Sequence, residues 1–422
     1  MGVDEDLSPK VMRKAVHLAT KLGSFESARD SLAETLELEL VTKRIERLAK
    51  RIGSERVAER EQAVGEWEGL PLVEKLAAPP GVKAPAVVCV SPDGGRMQRC
   101  DLPETAKTHW CETKVAVLLE LKPAPHADDP CPELPDTFRD LAEMEKLTRE
   151  IHLAAAEKAA PQGEVFRKAD AAADEASEDA APSSDFIAEA RAAVVHEPPE
   201  VIARDVLASQ AKSDEFGRQM AARAWSLGFA AALLKAFVGD GSSTVWGIWQ
   251  REFKHQGFVP ILDFIHALTY VYAAAMAGRT REEGGPVYLR WITAVWQGRV
   301  SEVIVEVAAR SAELGPPPPD AGKTDPRQIL ADTLAYLSNQ QARMNYPTYR
   351  RMGLPITSSH IESTVKQIGR RVKGSEKFWG ETGGEAMLQL RADQLSDTQP
   401  LDAFWLRRTQ RATGTRTYNR AA

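Results

Sequence analysis

The chain has 422 residues, 43% of them hydrophobic, and a formal net charge of −6, which is enough to bury at least one sizeable core. Its four cysteines, Cys89, Cys100, Cys111 and Cys131, form no CxxC pair and have no clustered histidines, so neither a disulfide framework nor a zinc site is expected. No apolar run approaches the roughly 18 to 20 residues of a membrane span, and the acidic start Met-Gly-Val-Asp-Glu-Asp is no secretory leader, so the expected location is cytoplasmic.

Ser8 and Pro9 make an N-cap and first-turn pair for a helix to Lys21, closed by Gly23. Ser24 caps a second helix with Phe25, Ala28 and Leu32 on its apolar face, and Ile45, Leu48, Ala49 and Ile52 mark a third that the pattern ends at Gly53. The opposite face of the third carries Lys43, Arg44, Arg47, Lys50 and Arg51, as in a helix-turn-helix module that could lie in a major groove, although a solvated basic face is equally compatible.

After the linker Ala78-Pro79-Pro80-Gly81 the pattern turns strand-like. Ala86 to Val90 is an apolar strand that breaks at Pro92-Asp93-Gly94-Gly95, and Thr113 to Leu121 is a second strand preceded by Trp110. Asp93 reads either as a strand-end carboxylate or as a hairpin-turn residue. From Pro123 to about Ala181 the chain looks inserted: prolines cluster, a helix spans 136 to 159, and the acidic stretch from Ala169 to Ser184 is too poor in apolar residues to order itself, as in a solvated tether.

Ile187 to Val194 and Glu200 to Trp225 read as helical. Ala230 to Val238 then runs apolar into Gly239-Asp240-Gly241, and Thr244 opens an aromatic helix, which sets Asp240 at the carboxyl end of a strand, where α/β sheets build their sites. Capping of the following helix is the competing role for Asp240. The next strand, from Phe258, leads into a helix to about Ala277, with Asp263 and His266 at the junction as a structural or site-positioning pair, a metal-ligand role staying open behind it. Val287 to Asn345 is helical around a proline-rich break at 315 to 320, with Trp291 and Trp296 as core.

Past Pro355, Ser358 or Ser359 caps a helix to about Val372. Steps of three and four from Glu362 reach Lys366, Gly369, Arg370 and Lys373 on one side, and Arg371 lies beside them. A carboxylate among cations can hold a metal while the cations hold phosphates. A surface pair of Glu362 with Lys366 is the plainer account. The overall negative charge argues against a nucleic-acid partner, but the basic residues gather locally at 43 to 51, 366 to 377 and 407 to 420, while acidic ones concentrate from Asp128 to Glu200.

Two strand-end aspartates and a helical glutamate are what a ribonuclease-H-like nuclease needs to hold two divalent cations about 4 Å apart, clamping both oxygens of an in-line displacement. Mg²⁺, or Mn²⁺ in its place, accepts such a site of two or three carboxylates completed by water and substrate phosphate.

The order of parts resembles the DDE transposases of bacterial insertion sequences, particularly the Kra-type group and, more distantly, the Mutator-like transposases. The resemblance covers nearly the whole chain: Val-Ser-Pro-Asp-Gly-Gly-Arg at 90 to 96, Trp-x-x-x-Lys-Val at 110 to 115, Gly-Asp-Gly-x-x-x-x-Trp at 239 to 246, Ile-Leu-Asp-Phe-Ile-His at 261 to 266, and Leu-Pro-Ile-Thr-Ser-Ser-His-Ile-Glu-Ser at 354 to 363. It implies a catalytic triad of Asp93, Asp240 and Glu362 binding two Mg²⁺ or Mn²⁺ ions, with Asp263 and His266 as the family's Asp-x-x-His element. It also implies an α/β fold, with a ribonuclease-H-like core, an all-helical insertion and an N-terminal helix-turn-helix-like region.

The expected division is 1–77 for DNA-binding helices, 82–122 and 186–283 for the core, 123–185 for an acidic insertion, 284–350 for the helical insertion, 351–397 for the glutamate helices and 398–422 for a basic tail. The function implied is metal-dependent cleavage of element ends and strand transfer to target DNA. The expected partners are terminal inverted repeats, target DNA and further copies of the chain on DNA, with no membrane. A catalytically inactive, DNA-binding descendant is the alternative, and a mainly helical interaction protein would need no strand-borne aspartates.

Overall fold

The computed structural model describes residues 7–103, 109–159, 199–374 and 376–411. The acidic stretch from Ala169 to Ser184 and the helix expected at 187 to 194 lie outside the described residues.

A mixed α/β fold is built around one six-stranded sheet. Strands β1 (Val87–Arg99), β2 (Trp110–Leu121), β3 (Val201–Ser209), β4 (Leu234–Gly239) and β5 (Val259–Leu262) lie in the order β3-β2-β1-β4-β5, and the two-residue β6 (Phe378–Trp379) pairs with the far end of β1. The β1–β2 and β2–β3 pairs are antiparallel, while β4 and β5 run parallel to β1. The chain therefore winds outward through β2 and β3, then crosses back to the other side of β1. That reversal leaves a crevice beyond the last β1–β4 pair, at the carboxyl end of β4 and beside the middle of β1, near where open α/β sheets place ligands. Helices make up most of the described residues, but the six-stranded sheet rules out a scaffold with almost no strand.

The break expected at Pro92-Asp93-Gly94-Gly95 is not observed. β1 continues through it, with Asp93 opposite Val115 and Gly95 opposite Thr113, so Asp93 is neither a turn residue nor at a strand end. Pro92 falls beyond the last pair that β1 makes with β4, Val90 with Phe237, and so interrupts no ladder on that side. Gly95 lacks a side chain for a packing reason: a Cβ there would lie 2.9 Å from Thr113 Oγ1 and 3.7 Å from Val365 on the helix crossing that face.

Helix α1 (Pro9–Lys21) is capped by Ser8, and α2 (Phe25–Leu36) by Ser24, as their sequences predict. Helix α3 (Thr42–Glu68) runs past the expected stop at Gly53. A Cβ on Gly53 would sit 2.5 Å from the Ala386 carbonyl oxygen, so this glycine permits close helix packing rather than ending a helix. A single turn, α4 (Leu72–Lys75), precedes the sheet, and α5 (Leu141–Ala159) follows β2.

Glu200 to Trp225, expected as helix, is instead β3 followed by α6 (Ser213–Ser226). Beyond β4 come the short α7 (Ser243–Ile248), then β5 and α8 (Phe264–Met276). The helical block is α9 (Arg281–Trp296), α10 (Val300–Leu314), α11 (Pro326–Gln340) and α12 (Tyr346–Arg351). Trp291 and Trp296 are buried in it, and the Arg350 guanidinium stacks 4.1 Å from the Trp296 ring.

Helix α13 (Ser359–Val372) and helix α14 (Glu381–Leu395) cover the face of the sheet bearing Gly95 and Met97, and α3 packs over α14. α6 and α7 cover the other face, where Phe237 meets Trp246 and Phe253. Residues expected as a basic tail begin with helix α15 (Pro400–Arg411), whose Arg407 and Arg408 pair with Glu59 and Glu55 of α3 at 2.7 and 2.8 Å. Among the described residues no helix is long and apolar enough to cross a membrane.

Candidate active site

The parallel registers of the sheet bring three aspartates into one row. β1 pairs with β4 from Val87 with Leu234 to Val90 with Phe237. Carried three residues further, the same offset sets Asp93 level with Asp240. β4 pairs with β5 up to Gly239 with Leu262, so the next step sets Asp240 level with Asp263, and the Asp263 amide indeed donates to the Gly239 carbonyl at 2.9 Å. Residues more than a hundred positions apart thus meet at one edge because parallel strands keep a constant offset.

The glutamate arrives from the sheet's covering helix. Gly95 and Asp93 share one face of β1, two residues apart. Val365 packs over Gly95, and Glu362 lies one turn earlier on α13. Carboxylate oxygens of Asp263 and Glu362 and a ring nitrogen of His266 all fall within 4.8 Å of one another. A small cavity of about 180 Å³ is lined by both Asp93 and Asp240, with Ser242, Thr244, Phe216 and the Glu112–Lys114 pair at its walls.

Asp263 is fully buried and organises the junction. One of its oxygens accepts the Ile265 amide at 2.9 Å, capping α8; the other meets His266 Nδ1 at 3.1 Å and accepts the Ser358 hydroxyl. Ser358 stands at the N-cap of α13 without capping it. Its hydroxyl instead ties the start of the glutamate helix to the start of α8, and the Phe264 amide reinforces the tie by donating to the Ile356 carbonyl at 2.9 Å. Asp263, through Ser358, therefore joins the start of the glutamate helix to α8, and His266 stands beside it where Asp263, His266 and Glu362 could together hold a metal ion.

Burial by itself would lower the pKa of His266, but the Asp263 hydrogen bond and the charges of Asp263, Asp240 and Glu362 raise it above its ordinary value. The imidazole thus stands in a negative field to which three of the carboxylates contribute. Hard carboxylate oxygens in such a field suit Mg²⁺ or Mn²⁺, and an adjacent imidazole is compatible with Mn²⁺.

The basic residues divide. Lys366, Arg370 and Lys373 are exposed on or beside α13, Lys373 lying 5.5 Å from the Trp110 ring. Lys43 and Arg47 are exposed and Arg44 half-buried on the first turns of α3, with Lys43 bonded to Glu46 at 2.9 Å. Arg371, expected among the DNA contacts, is buried: it donates to the Ala19 carbonyl at 2.8 Å and stacks on Phe25 and Trp379, and burial pulls its pKa down to about 10. A guanidinium held between α1 and α13 is a packing element and is removed from the phosphate-binding set.

Sequence reasoning missed Ser358 as a tie and Lys114 as a cavity wall, though Lys114 stands inside the quoted Trp-x-x-x-Lys-Val motif. It also missed Tyr336 and Gln340, which touch the Asp240 loop from α11. Compared with known proteins, the chain matches no protein-family model and no curated protein.

Proposed function

We propose that this chain is a DDE-type DNA transposase with a ribonuclease-H-like core, which cuts the ends of its element and joins them to target DNA. The observation that carries the reading is the meeting of Asp93 and Asp240 in the crevice where the strand order reverses, with Glu362 on the helix above. Asp93, Asp240 and Glu362 would hold two Mg²⁺ or Mn²⁺ ions, which supply an activated water and charge stabilisation for the leaving 3′ oxygen. Asp263, through Ser358, joins the glutamate helix to α8, and Lys366, Arg370 and Lys373 extend a cationic surface from the site along which a DNA backbone can lie. Lys43, Arg44 and Arg47 offer a second cationic surface for the terminal repeats. Two DNA ends must be joined, so the working form is a homo-oligomer on DNA.

The test is cleavage of a supercoiled plasmid carrying the element's ends, with Mg²⁺ or Mn²⁺. Wild type is expected to cut at those ends, and Glu362→Gln to lose at least about a thousandfold in rate, or roughly 4 kcal/mol of barrier. A folded wild type that binds the ends without cutting them would replace this reading with that of an inactive DNA-binding descendant.

A further inference from the structure

The Asp240 loop is held from outside the sheet. The Tyr336 hydroxyl donates to the Asp240 carbonyl at 2.9 Å, and one turn later on the same face of α11 the Gln340 amide donates to the Gly241 carbonyl at 3.0 Å. Arg343 donates to Gln340 Oε1 at 2.9 Å, which fixes which end of the amide faces the loop, and its guanidinium lies 4.5 Å from the Trp246 ring of α7. Tyr336 in turn stacks on Tyr270 with ring centres 3.8 Å apart and planes 8° from parallel. Tyr270 stands one turn after His266 on α8, so the stack ties α11 to the helix that positions Glu362.

Gly241 fits this contact closely. Its φ is +98°, and a Cβ there would lie 2.7 Å from Tyr336 Cε2 and from the hydroxyl oxygen. The tyrosine therefore rests against bare backbone. On the other side of the loop, the Asp240 carboxylate accepts the Ser242 amide at 2.9 Å, and Ser242 caps α7. Two carbonyls held from α11 and one carboxylate oxygen held by the loop's own amide leave the Asp240 side chain little rotational freedom.

We infer that α11 is the positioning device for Asp240: Tyr336 and Gln340 grip consecutive carbonyls and so aim its carboxylate at the level of Asp93. The helical block between the second aspartate and the glutamate then contributes to metal binding without supplying a ligand. The functional half of this inference rests on the metal reading above; the mechanical half does not.

The experiment uses the full chain, with Tyr336→Phe, which keeps the ring stack and deletes only the hydroxyl, and Gln340→Met as a near-isosteric second variant. Asp240→Asn is the control. Two quantities are measured: amide hydrogen exchange across residues 240 to 245, and Mn²⁺ affinity by titration of the metal alone. Tyr336→Phe is expected to speed exchange at Ser242 by about tenfold while the sheet's amides and the melting temperature stay as in wild type. It should also weaken Mn²⁺ binding by about 10- to 100-fold, the usual effect of losing a residue that orients a ligand. Gln340→Met should act in the same direction.

Unchanged exchange in both variants overturns the grip. Faster exchange with Mn²⁺ affinity within twofold of wild type, while Asp240→Asn has lost the metal, overturns the role in binding. If Asp240→Asn binds Mn²⁺ as wild type does, the metal reading itself has failed, the functional half falls with it, and the exchange data alone decide the grip.

Discussion

Two groups of carboxylates, all buried except the half-buried Asp240, lie on opposite flanks of the sheet, and they are held differently. On the β3 side, Asp205 receives Arg223 through two bonds of 2.7 and 2.5 Å, and Asp393 receives Arg56 through bonds of 2.8 and 3.3 Å. At the β4 and β5 ends, Asp240 is held by the Ser242 amide, and Asp263 by the Ile265 amide, the Ser358 hydroxyl and an imidazole. Guanidinium groups neutralise as they orient. Amides and hydroxyls orient and leave the negative field in place, as the raised pKa of His266 records. The first arrangement ties α6 to β3 and α3 to α14; the second leaves negative charge uncompensated by guanidinium, as the proposed cation site requires. Natural chains concentrate such unfavourable charge at functional sites.

Mutation should separate the two most sharply in stability. Asp393→Leu leaves buried Arg56 with Glu59 as its remaining carboxylate partner, and is expected to cost about 3 kcal/mol in urea unfolding, as broken buried pairs do. Combined with Arg56→Met it should recover to within about 1 kcal/mol of wild type, because the desolvation of both charges disappears together. Asp240→Asn in the same assay should be neutral or slightly stabilising, since it relieves repulsion among carboxylates. A loss at Asp240 as large as that at Asp393 would show that both groups are structural.

A smaller effect concerns pH. The folded pKa of His266 lies above its ordinary 6.5, so the stabilisation from its charged form is complete below about 6.5 and is lost as pH rises through the folded value. In metal-free protein, the ring's NMR titration should have its midpoint above 6.5. Saturating Mg²⁺ should lower that midpoint by cancelling the field of Asp240 and Glu362. A metal-free midpoint at or below 6.5 would mean that the carboxylates do not act on the ring together.

Much of the site row was legible because it depends on local pattern. An apolar run ending in Gly-Asp-Gly, a second ending in Asp with His three residues on, and a basic helix with Glu after Ser-Ser each announce themselves within a few residues. The failures share a cause. Gly53 and Gly95 were read for their local effect on the chain, but Gly53 serves the approach of a distant helix through Ala386, and Gly95 leaves room for the Thr113 hydroxyl on the paired strand. Val201 to Ser209 reads as helix because Arg204 and Asp205 interrupt its apolar run. It is an edge strand, and Asp205 is paired with Arg223 of the next helix. Arg371 has the composition of a phosphate contact and the burial of a core residue. The grip of Tyr336 on Asp240 joins positions 96 apart, and no spacing rule reveals a bond to a backbone carbonyl.

The smallest effect tests the far end of that grip. Asp325 caps α11: its carboxylate takes the Arg327 side chain at 2.9 and 3.1 Å and the Arg327 amide at 2.9 Å, and these bonds hold its pKa down to about 2. For a carboxyl whose folded pKa is depressed, the contribution is complete above the ordinary 3.8 and is lost as pH falls through about 2. Between those values the cap should stay closed while exposed carboxylates elsewhere protonate. Its NMR titration midpoint should therefore fall near 2, and Arg327→Ala should raise it toward 3.8 with a slight rise in exchange over the first turn of α11 only. If instead the same change loosened Ser242, α11 would be transmitting a fault at its cap to the Asp240 loop, and the grip would be a property of α11 as a rigid rod more than of Tyr336 and Gln340 themselves.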